Sequence, residues 1–258
     1  MQNNTFSTLF VGQNLIRLSA VDSTNNFLKD MVSNSEPLPE GTVIMADSQY
    51  AGRGQMGNTW HAEPGLNLTF SVYLKPGFLD VNKQYLLNMA IAIGIRNALT
   101  LYVKEGITIK WPNDIYHYNK KLGGVLIENV ITGSTYKYAV IGIGINVNQQ
   151  SFNQYKLGTA ESLGKILQQD VNLIELLGKI CNQVEAQYLM LKGNHDKLKA
   201  DYLKGLYAFD RDSVFKDKNG IFKGKITDVT SRGQLIVGVE GSERTYDFKE
   251  IQFLSDIS

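Results

Sequence analysis

Five apolar residues at every second position, Leu66, Leu68, Phe70, Val72 and Leu74, alternate with Asn67, Thr69, Ser71 and Tyr73. A period of two sends the two sets to opposite sides of a pleated strand, so this stretch predicts a half-buried strand. A strand with one apolar face needs neighbours to cover it. The rest of the chain offers them: residues 15–21 read as a strand, 43–46 as a short apolar run, and residues 122–130 and 136–145 as a hairpin about Thr132, Gly133 and Ser134. An apolar run at 107–109 ends at Lys110. Helices intervene. Ser23 or Thr24 caps one that runs through Phe27, Leu28 and Met31, and Leu86, Met89, Ile93 and Asn97 space out a second, weakened at Gly94. From Ser162 the texture turns helical, with Leu173, Leu177, Ile180, Val184, Tyr188 and Leu191 forming a seam. After Tyr207 short β-rich runs alternate with the turn pairs Asn219-Gly220, Arg232-Gly233 and Gly241-Ser242. The pattern predicts two domains, residues 1–206 and a small β-barrel at 207–258.

Composition narrows the function classes. The 26 Lys and Arg against 25 Asp and Glu leave a net charge of +1, so bulk charge advertises neither nucleic acid nor another polyanion. No apolar run reaches the roughly 18 residues a membrane helix needs, and the opening MQNNTFSTLFVGQ lacks the basic and apolar regions of a secretory signal. A single cysteine, Cys181, excludes an internal disulfide and a cysteine-built zinc site and points to a reducing, cytoplasmic setting. His61, His117 and His195 lie far apart, and no metal site is expected of them.

Four stretches carry chemistry. Gly52-Arg53-Gly54-Gln55-Met56-Gly57 fits the letters of a dinucleotide-binding loop, but it leads into a strand where that motif requires a helix. What remains is a glycine-rich loop in which backbone N–H groups and Arg53 can meet an anion, or equally an ordinary loop with a solvated arginine. Lys110-Trp111-Pro112-Asn113-Asp114 sets a cation, a rigid turn and two oxygen-bearing side chains at a strand end; a surface ion pair is the plain alternative. Lys120-Lys121-Leu122-Gly123-Gly124 enters the strand that carries Glu128, and Gly142 and Gly144 interrupt an apolar strand where glycine costs stability. Three cations, Arg53, Lys110 and Lys121, thus each stand beside glycines or a rigid turn at a strand end, which suits chemistry on phosphate and carboxylate groups.

Taken in order, the strings VDSTN at 21–25, the loop at 49–60, KWPND at 110–114, KLGGVLIE at 121–128 and GIGINV at 142–147 resemble the catalytic domain of biotin protein ligases. The resemblance implies an α+β fold, a class II aminoacyl-tRNA-synthetase-like mixed sheet with flanking helices, followed by a small SH3-like barrel. It implies that biotin and ATP, with Mg²⁺, give biotinyl-adenylate and pyrophosphate, and that biotin then passes to a lysine of a biotin carboxyl carrier protein or domain. By family position, Ser23, Thr24, Asn25 and Gln49 would bind biotin, together with Gly52, Arg53, Gly54, Gln55, Trp60, Lys121, Gly124 and Gly144. Arg53, Trp60, Lys110, Asn113, Lys121 and Asn146 would serve the nucleotide, and Arg53, Lys110, Asp114 and Lys121 the chemistry, with Asp114 orienting or deprotonating the incoming lysine.

Two departures stand out. Gln55 and Asn58 occupy positions where the family loop usually carries arginines, which predicts weaker holding of the adenylate, since a neutral amide makes the weaker hydrogen bond. About twenty residues precede Ser23, too few for the helix-turn-helix of the repressor-type relatives, so an enzyme-only form is expected. The loop at 149–158, rich in Gln, Ser and Asn, either orders over ligand, as the resemblance implies, or is merely a surface loop, and residues 136–145 either offer an edge to a homodimer or are covered. A lipoate-type acyl ligase on the same fold and a non-catalytic biotin sensor are the rival readings; an acyl-cysteine mechanism is disfavoured because Cys181 falls in the apolar seam.

Overall fold

The computed structural model describes residues 6–34, 37–152 and 159–254. Seven strands form one mixed sheet in the order β1-β2-β3-β7-β6-β5-β4. Strands β1 (Leu15–Leu18) and β2 (Val43–Ala46) are parallel. The others, β3 (Leu68–Leu74), β7 (Thr135–Ile145), β6 (Lys120–Thr132), β5 (Asp114–His117) and β4 (Ile107–Lys110), are antiparallel to their neighbours. Strand β5 gave no signal in the sequence. Ala139 to Ile145 pair with both β3 and β6, so that stretch is no free edge.

The alternation in β3 marks a strand, as expected, but the strand is buried on both faces. Leu68, Phe70, Val72 and Leu74 enter the main core with residues of helix α2 (Gln84–Thr100) and helix α4 (Leu173–Met190). The opposite face, with Thr69, Ser71 and Tyr73, lies under helix α1 (Thr24–Asn34), whose Leu28 joins Ile44, Tyr73 and Val140 in a second apolar cluster. Gly94 has a packing role in α2: a Cβ there would stand 2.7 Å from Val184 Cα, so its absence lets α2 and α4 touch. Helix α5 (His195–Gly205) packs on both, and the short α3 (Leu163–Leu167) precedes α4. Cys181 is buried in α4 and burial pushes its thiol far up, consistent with an inert side chain.

The C-terminal strands form a separate antiparallel sheet, β8 (Asp212–Asp217), β9 (Gly220–Val229), β10 (Leu235–Val239), β11 (Ser242–Tyr246) and β12 (Gln252–Leu254), in the order β11-β10-β9-β8-β12. All three expected turns separate neighbouring strands. The expected barrel is not formed: among the described residues β11 and β12 are the two edges of an open sheet. A turn in which Glu250 N donates to Asp247 O at 3.1 Å follows β11, and the three residues of β12 return to β8 instead. Phe215, Ile226 and Val237 of this sheet belong to the same apolar cluster as Ile109, Trp111 and Leu206. Among the described residues no helix is long and apolar enough to cross a membrane.

Candidate active site

Antiparallel partners present their side chains to one face of a sheet. The pairs Thr69 with Gly144, Gly144 with Gly124, Gly124 with Asp114 and Asp114 with Lys110 therefore make one transverse row on the face that carries α1. Lys121 has the wrong parity to join it in a regular strand. A bulge shifts the β5–β6 register between Ile115 and Tyr116, opposing Lys121 to Tyr116 and re-aiming its side chain. Lys121 Nζ then lies 2.7 Å from Asp114 Oδ1. A Cβ on Gly124 would stand 2.9 Å from that same oxygen, so the glycine leaves room for the pair.

Lys110 is held differently. Its Nζ lies 4.6 Å from the ring centre of Tyr116, 5.5 Å from that of Tyr207 and 5.3 Å from that of Phe253, a cage of three negative ring faces. Burial lowers its pKa, Asp114 partly restores it and Lys121 lowers it further. Burial, then Asp114 and Tyr207, push the Tyr116 phenol up to about 12. The turn that follows is anchored at Pro112 O, which accepts from Tyr85 Oη at 2.6 Å and Asn88 Nδ2 at 2.8 Å. Asn113 Nδ2 donates to Val125 O, fixing β5 against β6.

Across the cleft, the loop after β2 folds back on itself: Gly54 N donates to Asn58 O at 2.7 Å and Trp60 N to Gly52 O at 2.9 Å. Met56, at φ 50°, and Gly57, at φ 81°, form its tip. Arg53 reaches Asn26 Oδ1 at 2.7 Å and Glu128 Oε1 at 3.0 Å. Glu128 also accepts from Lys29 and Asn25; burial raises its pKa, but these hydrogen bonds and the charges of Lys29 and Arg53 outweigh that and hold it below the usual carboxylate value. The Trp60 ring lies on Gly144, where a Cβ would come within 2.5 Å of it, and its buried Nε1 has no hydrogen-bond partner among the described residues. The floor at the start of α1 is polar: Thr24 N donates to Gln49 Oε1 at 2.8 Å, and Ser71 Oγ lies 2.7 Å from Thr24 Oγ1 and 2.5 Å from Asn25 Oδ1.

These groups surround one cleft of about 420 Å³. Ser23, Thr24, Asn25 and Gln49 line it, with Arg53, Gly54, Gln55 and Trp60 from the loop, and Lys110, Asn113, Asp114, Lys121, Gly124 and Gly144 from the strands. Two expected residues stand behind the wall. Gly52 backs Trp60, and Asn146, 4% exposed, donates from Nδ2 to Lys121 O at 3.3 Å and Glu161 O at 3.1 Å. Of the 149–158 loop, residues 153–158 lie outside the described residues. Sequence reasoning missed Tyr116, and it missed Phe248, Ile251, Gln252 and Phe253, which bring the small sheet into the cleft wall. Phe248 packs edge-on against Trp111, whose Nε1 donates to Gly233 O at 2.9 Å. Nothing local in that tail marks these residues; only the three-dimensional docking does.

A buried polar floor, Arg53 on its loop, and Lys110, Asp114 and Lys121 on neighbouring strands make an arrangement that suits phosphate and carboxylate groups. The chain belongs to the biotin/lipoate A/B protein ligase family, whose model matches residues 18–146. It is 31% identical over 247 residues to the bifunctional ligase/repressor BirA of Bacillus subtilis, covering 93% of this chain and 74% of that protein. It is 26% identical over 206 residues to the biotin--[acetyl-CoA-carboxylase] ligase of Mycobacterium tuberculosis, covering 78% and 75% respectively. The solved biotin protein ligase of Aquifex aeolicus in complex with biotin and ATP superposes with a TM-score of 0.77 at 26% identity, covering 93% of this chain and 98% of that one.

Proposed function

We propose that this chain is a biotin–protein ligase. It activates biotin with ATP to biotinyl-5′-AMP and transfers the biotinyl group to a lysine of a biotin carboxyl carrier protein or domain. The observation that carries this reading is the row on the sheet, where Lys110, Asp114 and, through the bulge, Lys121 face Arg53 across a cleft that ends in the polar floor of Thr24, Asn25 and Gln49. In the first step an oxygen of the biotin carboxylate bonds to the α-phosphorus and the bond to the bridging oxygen breaks, releasing pyrophosphate. Two anions must approach, and Arg53, Lys110 and Lys121 lower that repulsion in a site partly shielded from water. In the second step the lysine nitrogen bonds to the acyl carbon, AMP leaves, and the amine's proton passes to Asp114. No enzyme nucleophile is needed, because the mixed anhydride is already activated.

Among the described residues no cluster of three or more His, Cys, Asp or Glu side chains would hold a metal ion. Asp114, the one carboxylate lining the cleft, is already on Lys121. The donor set therefore fits Mg²⁺ carried by the phosphates of ATP, where it neutralises their charge, and suits no all-protein cage.

Residues 1–206 act as the catalytic domain and 207–258 as a second domain that completes its wall. A cytoplasmic address belongs to the same reading, resting on the single buried cysteine. A homodimer built by sheet extension would use the outer strand β1, since Leu206 and Tyr207 already bridge β4 at Ile109. Incubation with ATP, Mg²⁺, biotin and a carrier domain should add the mass of one biotinyl group to the carrier. Pyrophosphate exchange that required lipoate instead of biotin would overturn the assignment.

A further inference from the structure

Glu128 stands behind the cleft wall, and the two chemical steps make no use of it. Yet it gathers hydrogen bonds from two elements besides its own strand: Asn25 Nδ2 at 2.8 Å and Lys29 Nζ at 2.9 Å from α1, and Arg53 Nη2 at 3.0 Å and Nη1 at 3.3 Å from the loop. An ionised carboxylate can only accept, so the Asn25 amide must turn Nδ2 towards it, with Leu126 O as a further acceptor at 3.4 Å. Asn25 Oδ1 then faces Ser71 Oγ at 2.5 Å, and since Oδ1 can only accept, the single Ser71 proton goes there. With the Ser71 proton on Asn25, the single Thr24 hydroxyl proton has two acceptors in reach, Ser71 Oγ at 2.7 Å and Gln49 Oε1 at 3.1 Å. The carboxylate at one end thus sets the direction of the relay from Ser71 to Asn25 to Glu128.

Burial makes this direction costly to reverse. Ser71 is 0% exposed, Asn25 2% and Thr24 4%, so a flipped member leaves a polar atom unpaired out of water. Gly142 lets the amide lie close on the sheet, since a Cβ there would meet Asn25 Oδ1 at 2.5 Å. With both amide protons turned to Glu128 and Leu126, what Asn25 offers the cleft is the second lone pair of Oδ1. Such a wall accepts N–H donors, as a cyclic urea carries, and gains nothing from an aliphatic or dithiolane head.

Resting on the ligase reading above, we infer that Glu128 is a positioning residue for head-group recognition: by orienting Asn25 as an acceptor it selects acyl groups whose head donates N–H over the apolar heads handled by the lipoate side of the same family.

Pyrophosphate exchange measured with biotin, desthiobiotin and lipoate tests this. Glu128→Gln, which can donate as well as accept, should raise KM for biotin and for desthiobiotin about tenfold, as expected for one mis-set buried hydrogen bond, and leave KM for ATP within about twofold. Asn25→Asp sets two carboxylates face to face and should do worse. Combining Asn25→Asp with Glu128→Gln exchanges donor and acceptor, presents an acceptor to the cleft again, and should recover most of the native KM for biotin. If the double variant were no better than Asn25→Asp alone, or if Glu128→Gln raised both KM values equally while the native chain used biotin, the relay would be refuted and the ligase reading would stand. A native chain that exchanged with lipoate and not with biotin would overturn both.

Discussion

Lys110 sits where water can no longer stabilise its charge well, and its rings compensate only in part. Its pKa is lowered from the ordinary 10.5 chiefly by burial, so the cation is lost at a lower pH than an exposed lysine would lose it. Biotin-dependent exchange should therefore fall on an alkaline limb below that value. Stability should move the other way: between the folded pKa and 10.5 the unfolded chain binds more protons than the folded one, so this group makes the fold more stable as pH rises. Urea midpoints of the native chain and of Lys110→Met, compared across that window, check the sign. Asp114 is a separate case. If it takes the lysine's proton, Asp114→Asn should slow transfer from preformed adenylate about a hundredfold while adenylate formation falls less, and an unaltered single-turnover transfer rate would remove the assignment. Both residues were legible in the sequence because they flank the rigid turn at Pro112, two residues from each. The aromatic cage around Lys110 was not, because Tyr116, Tyr207 and Phe253 are scattered over more than a hundred positions.

At the scale of elements, periodicity located most strands and the long helices, since burial of one face leaves its imprint on a single stretch of chain. It misjudged β3, whose polar positions Thr69 and Ser71 are buried under α1 rather than exposed, because alternation records chemistry and not exposure. It also could not show the bulge that turns Lys121 into the cleft, since a bulge is a property of two strands. The glycines of β7 were conspicuous as anomalies, and their reason is now visible: Gly142 makes room for Asn25 and Gly144 for Trp60. Gly144→Ala should accordingly displace the Trp60 ring at a cost of about 1–3 kcal/mol, the usual range for overpacking. Tryptophan fluorescence should change, the urea midpoint should drop modestly, and KM for biotin should rise.

For the whole molecule, the small sheet is part of the cleft wall. Phe253 of β12 completes the cage of Lys110, and Phe248 leans on Trp111. Phe253→Ala should raise KM for ATP about fivefold, the loss of one partly buried cation–π contact, with KM for biotin within about twofold. An equal rise in both would assign Phe253 to packing alone. The hairpin turns that announced this sheet are local signals and were legible; whether it closed into a barrel depends on how β11 and β12 meet, and three residues of β12 returning to β8 leave it open.

The transverse row has a further consequence. Thr69, Gly144, Gly124, Asp114 and Lys110 come from five separate strands, so their spacing is dictated by lateral hydrogen bonds and owes nothing to the length of chain between them. Extra residues in the exposed turn at Gly133 and Ser134 would travel harmlessly outward, whereas one residue inserted inside β6 or β7 would invert every side chain beyond it. Descendants of such a chain are free to diversify their loops while the middle of the sheet stays the same length.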